Sequence, residues 1–163
     1  MIESIKDIIN DVLTRLENDV KIPNTQEARK LVFETGMAES GYRNLEQIGG
    51  GPAISFWQIE IGTVEDIWEN YVIYRKPYIE SLFRMGLIEK DLTFCLITNI
   101  ALAVAFCRLY YRRKPGAIPK SMPARAAYWL KWYNTGGVHG RGKGTVDHYI
   151  AANMPHIDPS EPA

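Results

Sequence analysis

Cysteine is scarce in this chain, neither sign of charge is in excess, and no hydrophobic run is long. The two cysteines, Cys95 and Cys107, fall in one apolar segment. On a single continuous helix their twelve-residue separation corresponds to about 18 Å. A disulfide needs Cα atoms within about 7 Å, so no disulfide framework is expected, which fits synthesis in a reducing compartment. Lys plus Arg and Asp plus Glu number 19 each, which removes the electrostatic case for nucleic acid or an anionic membrane as the main partner. The most apolar stretch, "CLITNIALAVAFC", is broken by Thr98 and Asn99 and falls short of the roughly 20 residues of a membrane span. It reads as a buried core helix, and no membrane insertion is expected. The opening "MIESIKDIIN" is amphipathic and acidic, unlike a signal peptide.

Several catalytic signatures are also missing. "GVHGRGKGT" approaches a phosphate-binding loop through Gly137, Gly142 and Lys143, but Gly144 stands where the magnesium-holding hydroxyl belongs. It reads as a basic loop at the rim of something. His139, His148 and His156 lack the short spacing of a zinc site and read as isolated polar-loop residues. No Gly-x-Ser-x-Gly turn is present. No metal and no cofactor are expected, and the chemistry left is acid catalysis on a neutral substrate.

What is there is an ordinary globular composition, 46% apolar and 23% charged over 163 residues, suited to one domain with one core. Ile2, Ile5, Ile8, Ile9, Val12, Leu13 and Leu16 mark one face of a first helix. Pro23 ends it, Asn24 or Thr25 caps a second, and Glu39 lies at that helix's C-terminal end. "SGYRNLEQIGGGP" is loop by composition, and "ISFWQIE" a short extended piece. Thr63 with Asp66 reads as the next helix start, Pro77 as an interruption, and residues 92–112 as one long central helix. "ARAAYWLKWYN" is a further helix closed by Gly136 and Gly137, and residues 154–163 read as a flexible tail. The expected fold is mainly α, with at most a small extended or β segment near residues 42–61.

Glu39 is the candidate acid. A carboxylic acid that protonates a leaving oxygen must hold its proton near neutral pH, which partial burial arranges. Met37 and Ala38 precede it, and Phe56 and Trp57 are within reach if the loop folds back. On composition alone, the competing reading is a solvated helix-end glutamate.

Four segments then change the weight. "ESGYRN" resembles the Glu-Ser-Gly-aromatic opening of soluble lytic transglycosylases and goose-type lysozymes. "SFWQIE" is similar to that family's Gly-Leu-Met-Gln segment, "TNIALAVAFCRLYYRR" to its Asn-Ile helix, and "WYNTGG" to its Tyr-x-Gly signature. They come in the family's order over roughly residues 28–137. The resemblance implies a lysozyme-like domain over residues 1–153, with a saccharide cleft between two lobes. It also implies cleavage of the β-1,4 bond after N-acetylmuramic acid in peptidoglycan. Carried over by position, Glu39 is the general acid and then base, and Ser40 steadies its carboxyl. Gln58 binds sugar, Tyr133 places its hydroxyl near the carboxylate, and Asn134 holds the loop or contacts sugar. Ser55 and Ala103 stand where the family usually has Gly.

The outcome turns on a second carboxylate, because two-acid glycosidases hold their carboxyls about 5 Å or about 6.5 to 9.5 Å apart. Glu46, Glu60 and Asp66 are the candidates. Glu60 shares a face with Gln58 if the segment is extended, although an ion pair or cap is the blander role. Without a second acid, the sugar's N-acetyl group assists and a 1,6-anhydro ring closes, as in a lytic transglycosylase. A hydrolytic muramidase is the close alternative. A non-catalytic wall-binding or virion structural protein comes next, and an interaction module using Trp129, Trp132 and Tyr133 ranks last. The expected partner is the peptidoglycan glycan strand, met by a monomer. Size and the missing export signal suggest a phage enzyme, synthesised in the cytoplasm and released through holin pores or carried on a particle.

Overall fold

The apolar positions of the first segment fix the first helix. Ile5, Ile9, Val12, Leu13, Leu16 and Val20 are buried along one side of α1 (Ile2–Val20), which Lys21 ends in the left-handed conformation. The computed structural model describes residues 1–135 and 144–157. Gly136, Gly137, His139, Gly142 and Lys143, read above as a helix stop, a polar histidine and a basic loop, lie outside the described residues, as does the end of the expected tail.

Thr25 caps α2 (Gln26–Ser40) by accepting the Ala28 N–H at 3.1 Å. Leu31 through Gly36 are all buried, so α2 runs through the interior rather than along the surface. It touches α1, α6 (Ile100–Arg112), α7 (Met122–Trp132) and α8 (Val146–Asn153). Gly41, at φ 58°, stops it immediately after Ser40.

A two-stranded antiparallel hairpin follows, β1 (Ala53–Ile54) against β2 (Ile59–Glu60), with Ala53 opposite Glu60 and Ile54 opposite Ile59. Its turn carries Ser55 and Gln58 at positive φ. Trp57, fully buried, pins the turn to α2 by donating its indole N–H to the Val32 carbonyl at 2.8 Å. A large apolar side chain buried this completely contributes about 2 kcal/mol.

α3 (Ile61–Ile67) begins two residues earlier than the Thr63 start expected from sequence. Glu60 precedes it without a side-chain cap, and the hairpin itself launches the helix. One π turn, Trp68–Val72, continues it, and α4 (Lys76–Arg84) takes Pro77 in its first turn, where a missing N–H costs nothing.

The expected long helix over residues 92–112 is two helices. α5 (Leu92–Thr98) and α6 meet at Asn99 with a bend of 107° between the apolar segments on either side. Asn99 adopts an extended conformation, caps α6 by accepting the Leu102 N–H at 3.2 Å, and donates its Nδ2 to Met85 O at 2.8 Å. A side chain that binds backbone this way competes with the helix it interrupts. The straight-helix spacing of Cys95 and Cys107 therefore does not apply, yet both are free and buried. Among the described residues no single helix is long and apolar enough to cross a membrane. The architecture is mainly α-helical with one small two-stranded β element. Beyond α8, Met154–His156 forms a 3₁₀ turn, and His156 meets the Phe33 ring edge-on at 6.1 Å, while Met154 and Ile157 are exposed.

Tyr42 passes over α2 where Gly36 leaves room; a Cβ on Gly36 would lie 2.5 Å from the Tyr42 ring. Tyr42 is buried and donates its hydroxyl to Phe33 O at 2.8 Å. Gly36→Ala is therefore expected to lower unfolding free energy by about 1–3 kcal/mol despite alanine's better helix propensity, measured by urea denaturation.

Candidate active site

The last turn of α2 is where the chain gathers its polar groups. Gly41 turns the backbone, and Ser40 Oγ then accepts the Tyr42 N–H at 3.1 Å and donates to Phe56 O at 2.6 Å. The hairpin turn is thereby folded back onto the helix end. From the other side, Tyr133 donates its hydroxyl to Trp57 O at 2.8 Å. Ser40 and Tyr133 thus frame the site through the hairpin turn. The resemblance has Ser40 hydrogen-bonded to the Glu39 carboxyl, whereas its hydroxyl donates to Phe56 O; the Tyr133 hydroxyl donates to Trp57 O, and the Glu39 charge is among the influences that raise the proton affinity of that hydroxyl.

The groups that do reach Glu39 come from α7 and the segment after it. The Trp129 indole N–H donates to Oε1 at 2.9 Å, and Asn134 Nδ2 approaches the same oxygen at 3.4 Å. Gly144 N–H donates to Asn134 Oδ1 at 3.1 Å, which fixes the amide's orientation. Among the described residues no donor reaches Oε2. From α8, His148 Nε2 donates to Ala38 O at 2.7 Å, and its ring lies 6.5 Å from that of Trp129. His148 is therefore a helix residue at the site rather than an isolated loop histidine.

Burial pushes the Glu39 carboxyl up from its ordinary 4.5 to about 7. The hydrogen bonds from Trp129 and Asn134 and the charge of His148 act the other way, since each favours the carboxylate. Desolvation wins, and at neutral pH the carboxyl holds its proton about half the time. Such a group can act as acid and, once deprotonated, as base.

Gln58 closes the hairpin turn. Its Nε2 donates to Ser55 O at 2.8 Å and to Asn44 O at 3.2 Å, so its amide hydrogens are spent on the turn and on the loop that precedes the hairpin. Of the candidate second carboxylates, Asp66 is exposed and paired with Arg113 at 2.7 Å. That hydrogen bond, with one from Asn70, holds its carboxyl below the usual range. Glu46 is exposed and forms a β-bridge with Ile54. Glu60, partly exposed, ends β2 opposite Ala53. None of the three figures among the groups that shift Glu39.

Three participants were not assigned to the site from sequence. Trp129 is fully buried, in keeping with its helical spacing, but that spacing gives no sign of where the indole N–H points. His148 is the second. The third, Glu34, lies five residues before Glu39 and takes both Nε and Nη2 of Arg125 at 2.6 Å, with Tyr149 donating its hydroxyl at 2.8 Å. No group of His, Cys, Asp and Glu suited to a metal ion occurs among the described residues.

No protein-family model, curated protein or solved structure matches this chain. What the site can do therefore rests on its geometry and on the residue pattern.

Two consequences are measurable. Trp129→Phe removes a donor to the carboxylate and keeps the ring, so the Glu39 pKa should rise further above about 7, followed by carboxyl 13C shifts across pH. A carboxyl whose pKa is raised by folding costs stability as pH climbs from 4.5 towards 7, because the unfolded chain then releases its proton first. Glu39→Gln should accordingly match the wild type near pH 4 and exceed it at pH 8 by at most about 3 kcal/mol, read from urea denaturation at both values.

Proposed function

We propose that this chain is a peptidoglycan-cleaving lytic transglycosylase. It acts on the β-1,4 bond between N-acetylmuramic acid and N-acetylglucosamine in the glycan strand, with Glu39 as general acid and base. The observation that carries the reading is the Glu39 carboxyl itself. It is partly buried, poised at about 7, and among the described residues hydrogen-bonded through Oε1, which leaves Oε2 to carry the proton. The quoted segments support it, because they meet in space: the "ESGYRN" turn binds the "SFWQIE" turn through Ser40, and "WYN" reaches both through Tyr133 and Asn134. We further infer that the helical frame is the lysozyme-like one.

In this reading Glu39 gives its proton to the glycosidic oxygen as the C1–O4 bond breaks. The N-acetyl group of the muramic residue stabilises the positive centre. The Glu39 carboxylate then takes the proton of the C6 hydroxyl as O6 bonds to C1. The acid is regenerated and no water is consumed, which gives a 1,6-anhydromuramic end. A retaining or inverting hydrolase would need a second carboxylate near the scissile bond; among the described residues Asp66 is paired with Arg113 and no carboxylate is hydrogen-bonded beside Glu39, which supports the ring-closing route over hydrolysis.

Purified peptidoglycan digested by the wild type should yield anhydromuramic fragments by mass spectrometry. Folded Glu39→Gln should release them at least about 100-fold more slowly, since an amide has no such proton to give. Reducing ends would mean hydrolysis instead and make Glu60 the next residue to replace. Unchanged activity in a folded Glu39→Gln protein would remove Glu39 from the chemistry, and the absence of any wild-type fragments would turn the reading to a wall-binding or virion structural role. The step that needs the protonated acid should weaken as pH rises through about 7, seen in the pH profile of kcat/KM.

A further inference from the structure

Gly144 stands where a phosphate-binding loop would carry its hydroxyl, and packing gives a different reason for a glycine there. Its N–H donates to Asn134 Oδ1 at 3.1 Å, and Asn134 Nδ2 in turn approaches Glu39 Oε1 at 3.4 Å. The same residue lies against the Trp129 indole, whose N–H donates to that oxygen at 2.9 Å. A Cβ on Gly144 would overlap Cη2 of the indole and lie 3.0 Å from Cζ2 and 3.1 Å from Cγ of Asn134. Carbon atoms in unstrained contact sit about 3.5–4.0 Å apart. A methyl group at this point therefore pushes on both donors of the carboxyl at once.

The indole has little room to retreat. Trp129 is fully buried, with the Tyr149 ring centre 5.1 Å from its own and that of His148 at 6.5 Å. Ala38, the residue before Glu39, and Ala126 share its cluster. The edge that a methyl would strike adjoins the ring carbon bearing the nitrogen, so a displaced ring carries its N–H away from Oε1. Asn134 is tied to the same helix end, since its backbone N–H donates to Trp129 O at 3.0 Å. The titratable groups that bear on Glu39 are His148 from α8, Cys107 and Tyr111 from α6, and Tyr133 at the end of α7. A neutral methyl adds no charge to that set.

We propose that Gly144 is a positioning residue for Glu39. Its lack of a side chain lets Trp129 and Asn134 meet one carboxyl oxygen, and this sets the balance between acid and carboxylate. Both hydrogen bonds favour the carboxylate, so losing them makes Glu39 hold its proton more tightly. One hydrogen bond to a charged group is worth roughly tenfold in such an equilibrium. The effect on the proton stands whatever Glu39 does, whereas its consequence for cleavage rests on the transglycosylase reading.

The test is the titration of Glu39 in the full-length protein, followed by carboxyl 13C shifts in the wild type, Gly144→Ala, Trp129→Phe and the double variant. Gly144→Ala should bind the proton at least about 3-fold more tightly, which moves the midpoint above about 7. A phenyl ring lacks the outer edge that the methyl strikes. In the Trp129→Phe background the same substitution should therefore change the affinity by less than about 2-fold. Gly62→Ala, at a position with nothing within 4 Å, should leave the midpoint where it is. If Gly144→Ala alone does not fold, the double variant, in which the methyl has room, should fold and titrate as Trp129→Phe does. An unchanged or lowered midpoint in folded Gly144→Ala, an equal shift with and without the indole, or a double variant that does not fold would overturn the proposal. On peptidoglycan, the alkaline fall of kcat/KM in Gly144→Ala should move to higher pH in step with the titration midpoint. A wild type that releases no fragments would remove the transglycosylase reading and leave the titration to decide the positioning role.

Discussion

The structure depends on one buried ion pair. Glu34, in the middle of α2, takes both Nε and Nη2 of Arg125 on α7 and the hydroxyl of Tyr149 on α8, while Asn153 binds its backbone carbonyl. Three helices are thereby fixed at one point inside the protein. Removing one partner of such a pair strands the other charge and costs about 3–5 kcal/mol. Because α2, α7 and α8 are set there, the last turn of α2 meets Trp129 and His148 from those same two helices. Two carboxylates five residues apart thus have opposite surroundings. Glu34 faces a guanidinium. Among the described residues Glu39 receives hydrogen bonds from an indole and an amide, and burial dominates its proton affinity. Environment thus separates the behaviour of two acids on one helix, one held as a carboxylate partner and one pushed towards its protonated form.

Much of the frame is legible in local sequence, because it is local physics. The α1 stripe, the Thr25 cap and the glycine that ends α2 each follow from spacing or from a single residue type, and the small extended segment near residues 42–61 is found as a two-stranded hairpin. The break at Asn99 is different. The apolar pattern continues on both sides, and what interrupts the helix is a tertiary bond from Asn99 to Met85 O, fourteen residues back and invisible to a periodicity count. The candidate site divides the same way. Glu39 stands out beside a helix stop and a glycine-rich loop. Its donors do not, because Trp129 and Asn134 are 90 and 95 residues away in sequence. Ser40 and Tyr133 belong to the site, but the atoms they bind are backbone carbonyls, which no residue pattern displays.

The hairpin turn shows how a departure from a familiar pattern is accommodated. Ser55 occupies the position where the resembling family usually carries glycine, and its φ is 65°. A side chain in that region costs roughly 1–2 kcal/mol. Ser55 is buried, and its hydroxyl accepts the Trp57 N–H at 3.3 Å, while Trp57 and Ser40 clamp the turn from either side. The conformation is held by the packing around it rather than by the residue that adopts it.

The two buried thiols have a practical meaning of their own. Cys95 and Cys107 are the chain's full complement of cysteine and are at most 2% exposed. Burial pushes the Cys107 thiol far above its ordinary range, so the reactive thiolate form is scarce there. The folded molecule presents no sulfhydryl to an oxidant, whichever side of a membrane it stands on. A thiol reagent that does gain entry counts openings of the core, which makes these cysteines an internal clock for unfolding.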